Sequence, residues 1–158
     1  MKKPEIIIIV GNIGSGKTTA IKKLVSEGLT HVVISRDDLR YMIGAGKYRF
    51  DPKLEEAIWK TEYNMVSNFM KLGTNIIVDE VGVSRKMRGR YIQLAKKYNY
   101  RVTAILMPIL SKQECVDRRM KNPHDCPIRS VWEGVWDKFN SQYQLPQLKE
   151  GINRIIHV

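Results

Sequence analysis

A nearly uninterrupted aliphatic stretch, Glu5–Val10, runs straight into Gly11-Asn12-Ile13-Gly14-Ser15-Gly16-Lys17-Thr18, and this junction constrains the chain more than any other segment. The octapeptide satisfies G-x-x-x-x-G-K-[ST]. It also stands where that pattern has physical meaning, after a buried strand and at the opening of a helix. The glycines let successive backbone N–H groups converge on a phosphate with no Cβ in the way. The helix N-terminus adds positive potential, Lys17 reaches the β- and γ-phosphates, and Thr18 ligates Mg²⁺. Gly11, Asn12, Ile13, Gly14, Ser15, Gly16, Lys17, Thr18 and Thr19 are the candidate nucleotide-binding residues, with Thr18 also the candidate metal ligand. The spacing is not G-x-G-x-x-G, so a dinucleotide fold is not expected.

Beyond this loop, short aliphatic runs alternate with helical patterns. Lys17–Glu27 reads as a helix with Ile21, Leu24 and Val25 inward and Gly28 closing it. His31–Ser35 reads as a second strand and Asp37–Ile43 as a short helix broken by Gly44 and Gly46. Asp51–Pro52 reads as an N-cap with proline at the first helical position. The long helix after it carries Leu54, Ile58, Met65, Phe69 and Leu72 on one face and ends at Gly73. Asn75–Asp79 is a third strand. Ser84 caps a helix bearing Met87, Tyr91, Leu94, Ala95 and Tyr98, and Arg101–Met107 is a fourth strand. Ser111 and Glu114 form a capping box for a helix to Lys121, followed by a loop over 122–127. Val131, Val135, Phe139 and Tyr143 mark another helix, and 153–158 a last strand. Continuous aliphatic strands separated by helices imply a parallel sheet covered on both faces. The expected fold is α/β, doubly wound and mostly parallel, of the P-loop NTPase type.

At 158 residues, with no repeat or linker composition, the chain is expected to form a single domain over 1–158. Its longest aliphatic run, Ile6–Val10, falls far short of the roughly 20 residues of a membrane span. No small-residue cleavage site follows that run, so a signal peptide is not expected there. Cys115 and Cys126 form no CxxC pair, which points to a reducing, cytoplasmic setting. The charge balance says more. Lys and Arg total 27 against 16 acidic residues, a formal net charge of +11, and between Arg85 and Lys121 eleven cations face only Glu114 and Asp117. Such a block suits a polyanionic partner through phosphate neutralisation, although a solvated cationic helix face has the same composition.

The phosphate loop leaves the acceptor open. Arg36-Asp37-Asp38-Leu39-Arg40 follows the second strand, and in open α/β sheets ligands sit outside the carboxyl ends of strands. A carboxylate there can accept the proton of an attacking hydroxyl, and Arg40 can hold an anionic substrate. Ser35 and the two aspartates could instead simply cap a helix. Asp79 ends a run of aliphatics, where a carboxylate can organise Mg²⁺ or its waters, or pair with Arg40 or Lys17. Arg118 and Arg119 face the loop after their helix, with Arg118 also at ion-pair spacing from Glu114.

The phosphate loop, Ser35-Arg-Asp-Asp-Leu-Arg40, Val78-Asp79-Glu80, Ser84-Arg-Lys-Met-Arg88 with Ala95-Lys-Lys-Tyr98, and the Glu114-to-Arg119 segment together resemble the kinase domain of the bacteriophage 5′-polynucleotide kinase family, over about residues 3–145. The resemblance implies transfer of the ATP γ-phosphoryl group, with Mg²⁺, to a 5′-hydroxyl end of RNA or DNA. It puts Asp37 on the general base, Arg40 on a substrate-binding arginine and Lys17 and Thr18 on the P-loop pair. Asp79 falls on an essential aspartate after the third strand and Arg118 on a lid arginine, with Arg119 and Lys121 as neighbouring candidates. Arg36, Arg40 and Asp79 are then the expected substrate side of the site. A P-loop kinase of a small hydroxyl acceptor (toxin-type, nucleoside or sugar kinase) is the nearest alternative, and a nucleotide-gated nucleic-acid-binding module a further one. His124-Asp125-Cys126 has metal-ligand types at a spacing too tight for zinc. Trp132 and Trp136, four residues apart, read as core packing. Trp59, Tyr63 and Tyr48-Arg49-Phe50 are candidate base-stacking residues.

Overall fold

The computed structural model describes residues 2–158. Five strands, β1 (Glu5–Val10), β2 (Val32–Ser35), β3 (Ile76–Asp79), β4 (Arg101–Leu106) and β5 (Arg154–His157), form one sheet in the order β2-β3-β1-β4-β5. Every pairing is parallel. Helices α1 (Lys17–Ser26), α2 (Arg36–Ile43), α3 (Glu55–Lys71), α4 (Arg85–Lys97), α5 (Lys112–Lys121) and α6 (Arg129–Ser141) make the crossovers, with a 3₁₀ turn at Leu148–Glu150 before β5.

Successive side chains of β1 leave on opposite faces of the sheet, and two cores follow from that. Ile6, Ile8 and Val10 join Val66 and Met70 of α3 and Tyr91, Leu94 and Ala95 of α4. Ile7 and Ile9 pack with Ile21 of α1 on the other face. A third, smaller cluster lies off the sheet, where Ile13 of the glycine loop packs on Val116 of α5 and Trp132 of α6. The sequence pattern of continuous aliphatics is thus explained by burial on both faces.

Several expectations need correction. Helix α3 starts at Glu55, because Asp51 closes a separate turn: its Oδ1 accepts from the Lys53 N–H at 3.0 Å and its carbonyl from the Leu54 N–H at 2.8 Å. The buried stripe of α3 is Ile58, Glu62, Val66 and Met70, while Met65 and Phe69 only flank the core and Leu72 is exposed. An apolar count misses this stripe because one of its members is a glutamate. Val25 and Val131 are likewise exposed. The 85–121 cations are not one surface block either. Arg88 is fully buried, with two nitrogens on Glu150 at 2.9 and 2.8 Å and a third donating to the carbonyls of Gly82 and Gln144. There it ties α4 to the segment preceding β5. The two cysteines are unpaired, and no helix among the described residues is long and apolar enough to cross a membrane.

Candidate active site

Three strands deliver functional groups to one edge of the sheet. β1 leads into the glycine loop, β2 ends at Ser35 and β3 at Asp79, and Ser35 and Asp79 are register partners on adjacent strands. β1 lies between β3 and β4, so the crossovers diverge at its carboxyl end and a crevice opens above it.

On one side of this crevice the glycine loop curls through Gly14 at φ 66° and Gly16 at φ 93°, and Gly16 is the N-cap of α1. A Cβ on Gly14 would run into the carbonyl oxygen of Cys115, and one on Gly11 would lie 2.5 Å from Ser15 Oγ. Asn12 and Ile13 anchor the loop from behind. Asn12 Nδ2 donates to the Trp136 carbonyl at 3.0 Å, and the Ile13 side chain is buried against α5 and α6. Their contribution to a bound nucleotide therefore lies in the backbone. Ser15 Oγ is buried without a partner.

Lys17 Nζ donates to the Asn12 carbonyl at 2.8 Å. Removal from water lowers its ammonium to about 8; Asp79 opposes this and the charge of Arg119 adds to it. One carbonyl compensates a desolvated ammonium poorly, and an anion in the loop would supply what is missing. Thr18 Oγ1 donates to Asp79 Oδ2 at 2.8 Å. A hydroxyl and a carboxylate side by side are hard oxygen donors suited to Mg²⁺, which keeps several waters and borrows phosphate oxygens instead of needing a full protein cage. No trio of His, Cys, Asp or Glu with metal-binding geometry occurs among the described residues. Burial raises the Asp79 carboxyl, with Thr18 and Lys17 opposing. Thr19 is exposed on the first turn of α1.

The opposite wall is the start of α2. Ser35 is its N-cap, with Oγ accepting from the Asp38 N–H at 3.4 Å, so the capping work falls to Ser35 and leaves the Asp37 carboxylate for other contacts. Asp37 Oδ1 accepts from the Tyr48 hydroxyl at 2.7 Å and from Arg40 Nη1 at 2.6 Å, while Oδ2 lies 3.5 Å from His124 Nε2. Burial pushes this carboxyl up, but the Tyr48 hydroxyl, His124 and Arg40 together outweigh it and hold it below the usual carboxylate range. Its side chain remains 41% exposed, so an acceptor can reach it.

Two arginines expected on the substrate are engaged elsewhere. Arg40 is clamped by Glu55, Nε to Oε1 at 3.0 Å and Nη2 to Oε2 at 2.5 Å, and its guanidinium lies 5.7 Å from the Phe50 ring. Arg36 turns inward. It donates to both carboxylate oxygens of Glu80, the Nε contact at 2.9 Å, and sits 3.2 Å from Glu62 Oε2, while the Tyr91 hydroxyl donates to Glu62 Oε1 at 2.8 Å. Burial and the neighbouring Glu62 raise the Glu80 carboxyl, with Arg36 opposing. Arg36 thus pins the end of β3 beside Asp79 and is not offered to a ligand.

Helix α5 brings Arg118 beside the phosphate loop and turns Arg119 onto α6. Arg118 Nη1 lies 4.0 Å from the position of a Cβ on Gly16. Arg119 lies over the Trp132 ring at 5.0 Å with its Nε buried and unpartnered. Glu114 is used by the Ser111 capping box and makes no ion pair with Arg118 among the described residues. Lys121 is exposed at the end of α5. Glu55 and Glu62 carry no sign in the sequence, and Glu80 stands there only as part of Val78-Asp79-Glu80, with no partner assigned. Tyr48 reads there as a stacking residue and His124 only as a metal-ligand type. Nothing local marks these residues, because each acts through a partner 11 to 87 positions away.

The AAA domain family matches residues 6–146 of this chain. Among solved structures, a chain of the Pnkp1/Rnl/Hen1 complex superimposes with TM-score 0.63 at 26% identity, over 75% of this chain and 40% of that one. A fungal RNA kinase gives TM-score 0.66 at 16% identity, over 98% and 75% of the two chains. The Mycobacterium tuberculosis APS kinase CysC, solved with AMPPNP and APS, gives 0.63 at 17%, over 99% and 90%. The present chain therefore spans two-fifths of the length of its Pnkp1/Rnl/Hen1 counterpart. The five-stranded parallel sheet with its glycine loop is the α/β P-loop NTPase fold.

Proposed function

The chain belongs to the AAA domain family and is a P-loop domain of the kinase type, and from that premise we propose that it transfers the γ-phosphoryl group of ATP to the 5′-hydroxyl end of an RNA or DNA strand. The observation that carries this reading is the exposed Asp37 carboxylate at the N-terminus of α2, across the crevice from Lys17 and Thr18. A triphosphate held by the loop and a hydroxyl held by Asp37 would meet between the two walls.

Bound ATP with Mg²⁺ supplies the transferable phosphoryl group and neutralising charge. The chain supplies position and field. Lys17 and the loop amides hold the phosphates, and Thr18 with Asp79 orients the metal and its waters. Asp37 aligns the acceptor hydroxyl and takes its proton through Oδ2, the oxygen that carries neither Tyr48 nor Arg40. Arg118 or Arg119 neutralises charge as it develops on the phosphoryl oxygens. Resemblance of the Ser35–Arg40 and Glu114–Arg119 segments to 5′-polynucleotide kinases supports the acceptor class. So does the net charge of +11, which suits a polymer of phosphates.

A small hydroxyl acceptor is the second reading. It is favoured by the Arg40–Glu55 clamp, which takes up the arginine that would otherwise grip a strand. Transfer from γ-labelled ATP to a 5′-hydroxyl oligonucleotide, run against a panel of small acceptors, decides between them. Label on the oligonucleotide 5′ end is the expected result. Label only on a small acceptor would overturn the polynucleotide reading, and oligonucleotide binding with no labelled product would make the domain a binding module.

A further inference from the structure

The loop that joins α5 to α6 reaches across the crevice and touches the acceptor wall. His124 and Asp125 sit in it at φ 46° and 59°, two successive left-handed residues that are not glycine. Such backbone persists only where the surroundings hold it. Tyr48 provides that hold from two sides. Its N–H donates to Asp125 Oδ2 at 2.7 Å, and its ring stacks on His124 at a centroid distance of 4.5 Å and an interplanar angle of 16°.

The His124 ring is held at one nitrogen and faces the Asp37 carboxylate with the other. The Tyr41 hydroxyl lies 2.7 Å from Nδ1, and Nε2 faces Asp37 Oδ2 at 3.5 Å. A ring nitrogen opposite a carboxylate carries the proton, so Nε2 is the donor and Tyr41 donates to Nδ1. Asp37, Asp125, Arg40 and Arg119 are the charged groups that act on this ring, and Trp132 lies 6.1 Å from it. Burial lowers the His124 imidazole in spite of Asp37, so the neutral ring prevails at neutral pH. The contact at 3.5 Å is long, as such bonds often are before an acceptor is bound.

We propose that His124 is a positioning residue for Asp37, and that the 122–127 loop is a latch which orients the base only when seated on Tyr48. Seating brings the Tyr48 hydroxyl onto Oδ1 and the His124 N–H onto Oδ2, leaving one lone-pair direction for an acceptor hydroxyl. The same loop continues from α5, so the segment seated on Tyr48 is joined directly to the helix that carries Arg118 and Arg119. This rests on Asp37 being the acceptor-side base, but the latch has a readout of its own.

The test uses the full chain with His124→Gln, His124→Phe and Asp125→Ala. Glutamine returns an N–H donor near the Nε2 position, whereas phenylalanine keeps the stack and loses the donor. The expected result is a kcat about tenfold lower for His124→Phe, largely restored in His124→Gln, with KM for ATP unchanged in both. A wild-type kcat in His124→Phe, or Gln no better than Phe, would overturn the positioning role. For the latch, the Tyr48 amide should exchange its hydrogen about tenfold faster in Asp125→Ala and at the wild-type rate in His124→Phe. Unchanged Tyr48 exchange in Asp125→Ala would overturn it. If the wild-type chain labels no 5′-hydroxyl oligonucleotide, the substrate reading fails while the exchange measurement still tests the latch.

Discussion

The donor wall of the crevice is assembled from nine consecutive residues, Gly11–Thr19, and one strand-end aspartate, whereas the acceptor wall draws Asp37, Arg40, Tyr48, Glu55 and His124 from four separate segments. The first is held by backbone conformation: left-handed glycines, a helix N-terminus and the end of β1. The second is held by side chains reaching one another across helices and loops. A backbone cradle presents its N–H groups through local conformation, with the Asn12 and Ile13 side chains bracing it only from behind. A side-chain cage presents its carboxylate only while every member is seated. Disturbance of the donor wall should therefore show in nucleotide binding, and disturbance of the acceptor wall in turnover.

The largest effect is expected at Asp37. Asp37→Asn and Asp37→Ala should each lower kcat by about 10²–10⁴, the range for a positioned base, with ATP Kd nearly unmoved. Phosphoryl-transfer transition states are loose, so if alignment counts for more than basicity, Asn should retain more activity than Ala. Steady-state kinetics beside a direct nucleotide-binding measurement will show whether the two walls separate. A matching loss of ATP affinity would mean they do not.

Lys17→Ala should cost about 10²–10³ in turnover, the scale of one charge-stabilising donor, and should also weaken triphosphate binding. Mutant activity within tenfold of wild type would remove Lys17 from the site.

The pH dependence sharpens the same contrast. Because the free Lys17 ammonium is lowered to about 8, it loses its proton as pH rises through that value, and an anion must then bring the proton back to bind it. Nucleotide affinity should be nearly constant below about pH 7 and fall about fivefold between pH 8 and pH 9. Asp37 is held below the ordinary range, so its carboxylate stays ionised through this window and adds nothing to the fall. Calorimetric titration with a non-hydrolysable ATP analogue at several pH values tests this, and a flat profile across pH 7–9 would contradict it.

The smallest effect should come from Asp38→Ala. Asp38 is exposed in the first turn of α2, and its backbone N–H, not its side chain, meets the Ser35 cap. Losing its favourable interaction with the helix dipole should cost about 0.3–1 kcal/mol in thermal or denaturant unfolding, with kcat near wild type. A dead Asp38→Ala enzyme with an active Asp37→Ala would exchange the roles of the two carboxylates.

The sheet, its five strands and the donor wall were legible in the sequence because each rests on neighbours in the chain. A run of five aliphatics in one strand, a glycine pattern and the Ser84 and Ser111 caps specify local geometry over distances of three or four residues. The sequence also marked Ser35–Arg40 as the segment facing the crevice, with the resemblance pointing to Asp37. The cap at Ser35 that leaves the Asp37 carboxylate for other contacts was seen only in the structure. Only the tertiary structure decided what surrounds that carboxylate. It turned Arg36 inward to Glu80 and Glu62, gave Arg40 to Glu55, buried Arg88 against Glu150, and brought His124 to Asp37 across 87 positions. A charge read along the chain has no partner. Burial assigns one, because a desolvated ion without a counter-charge costs far more than any local preference can return.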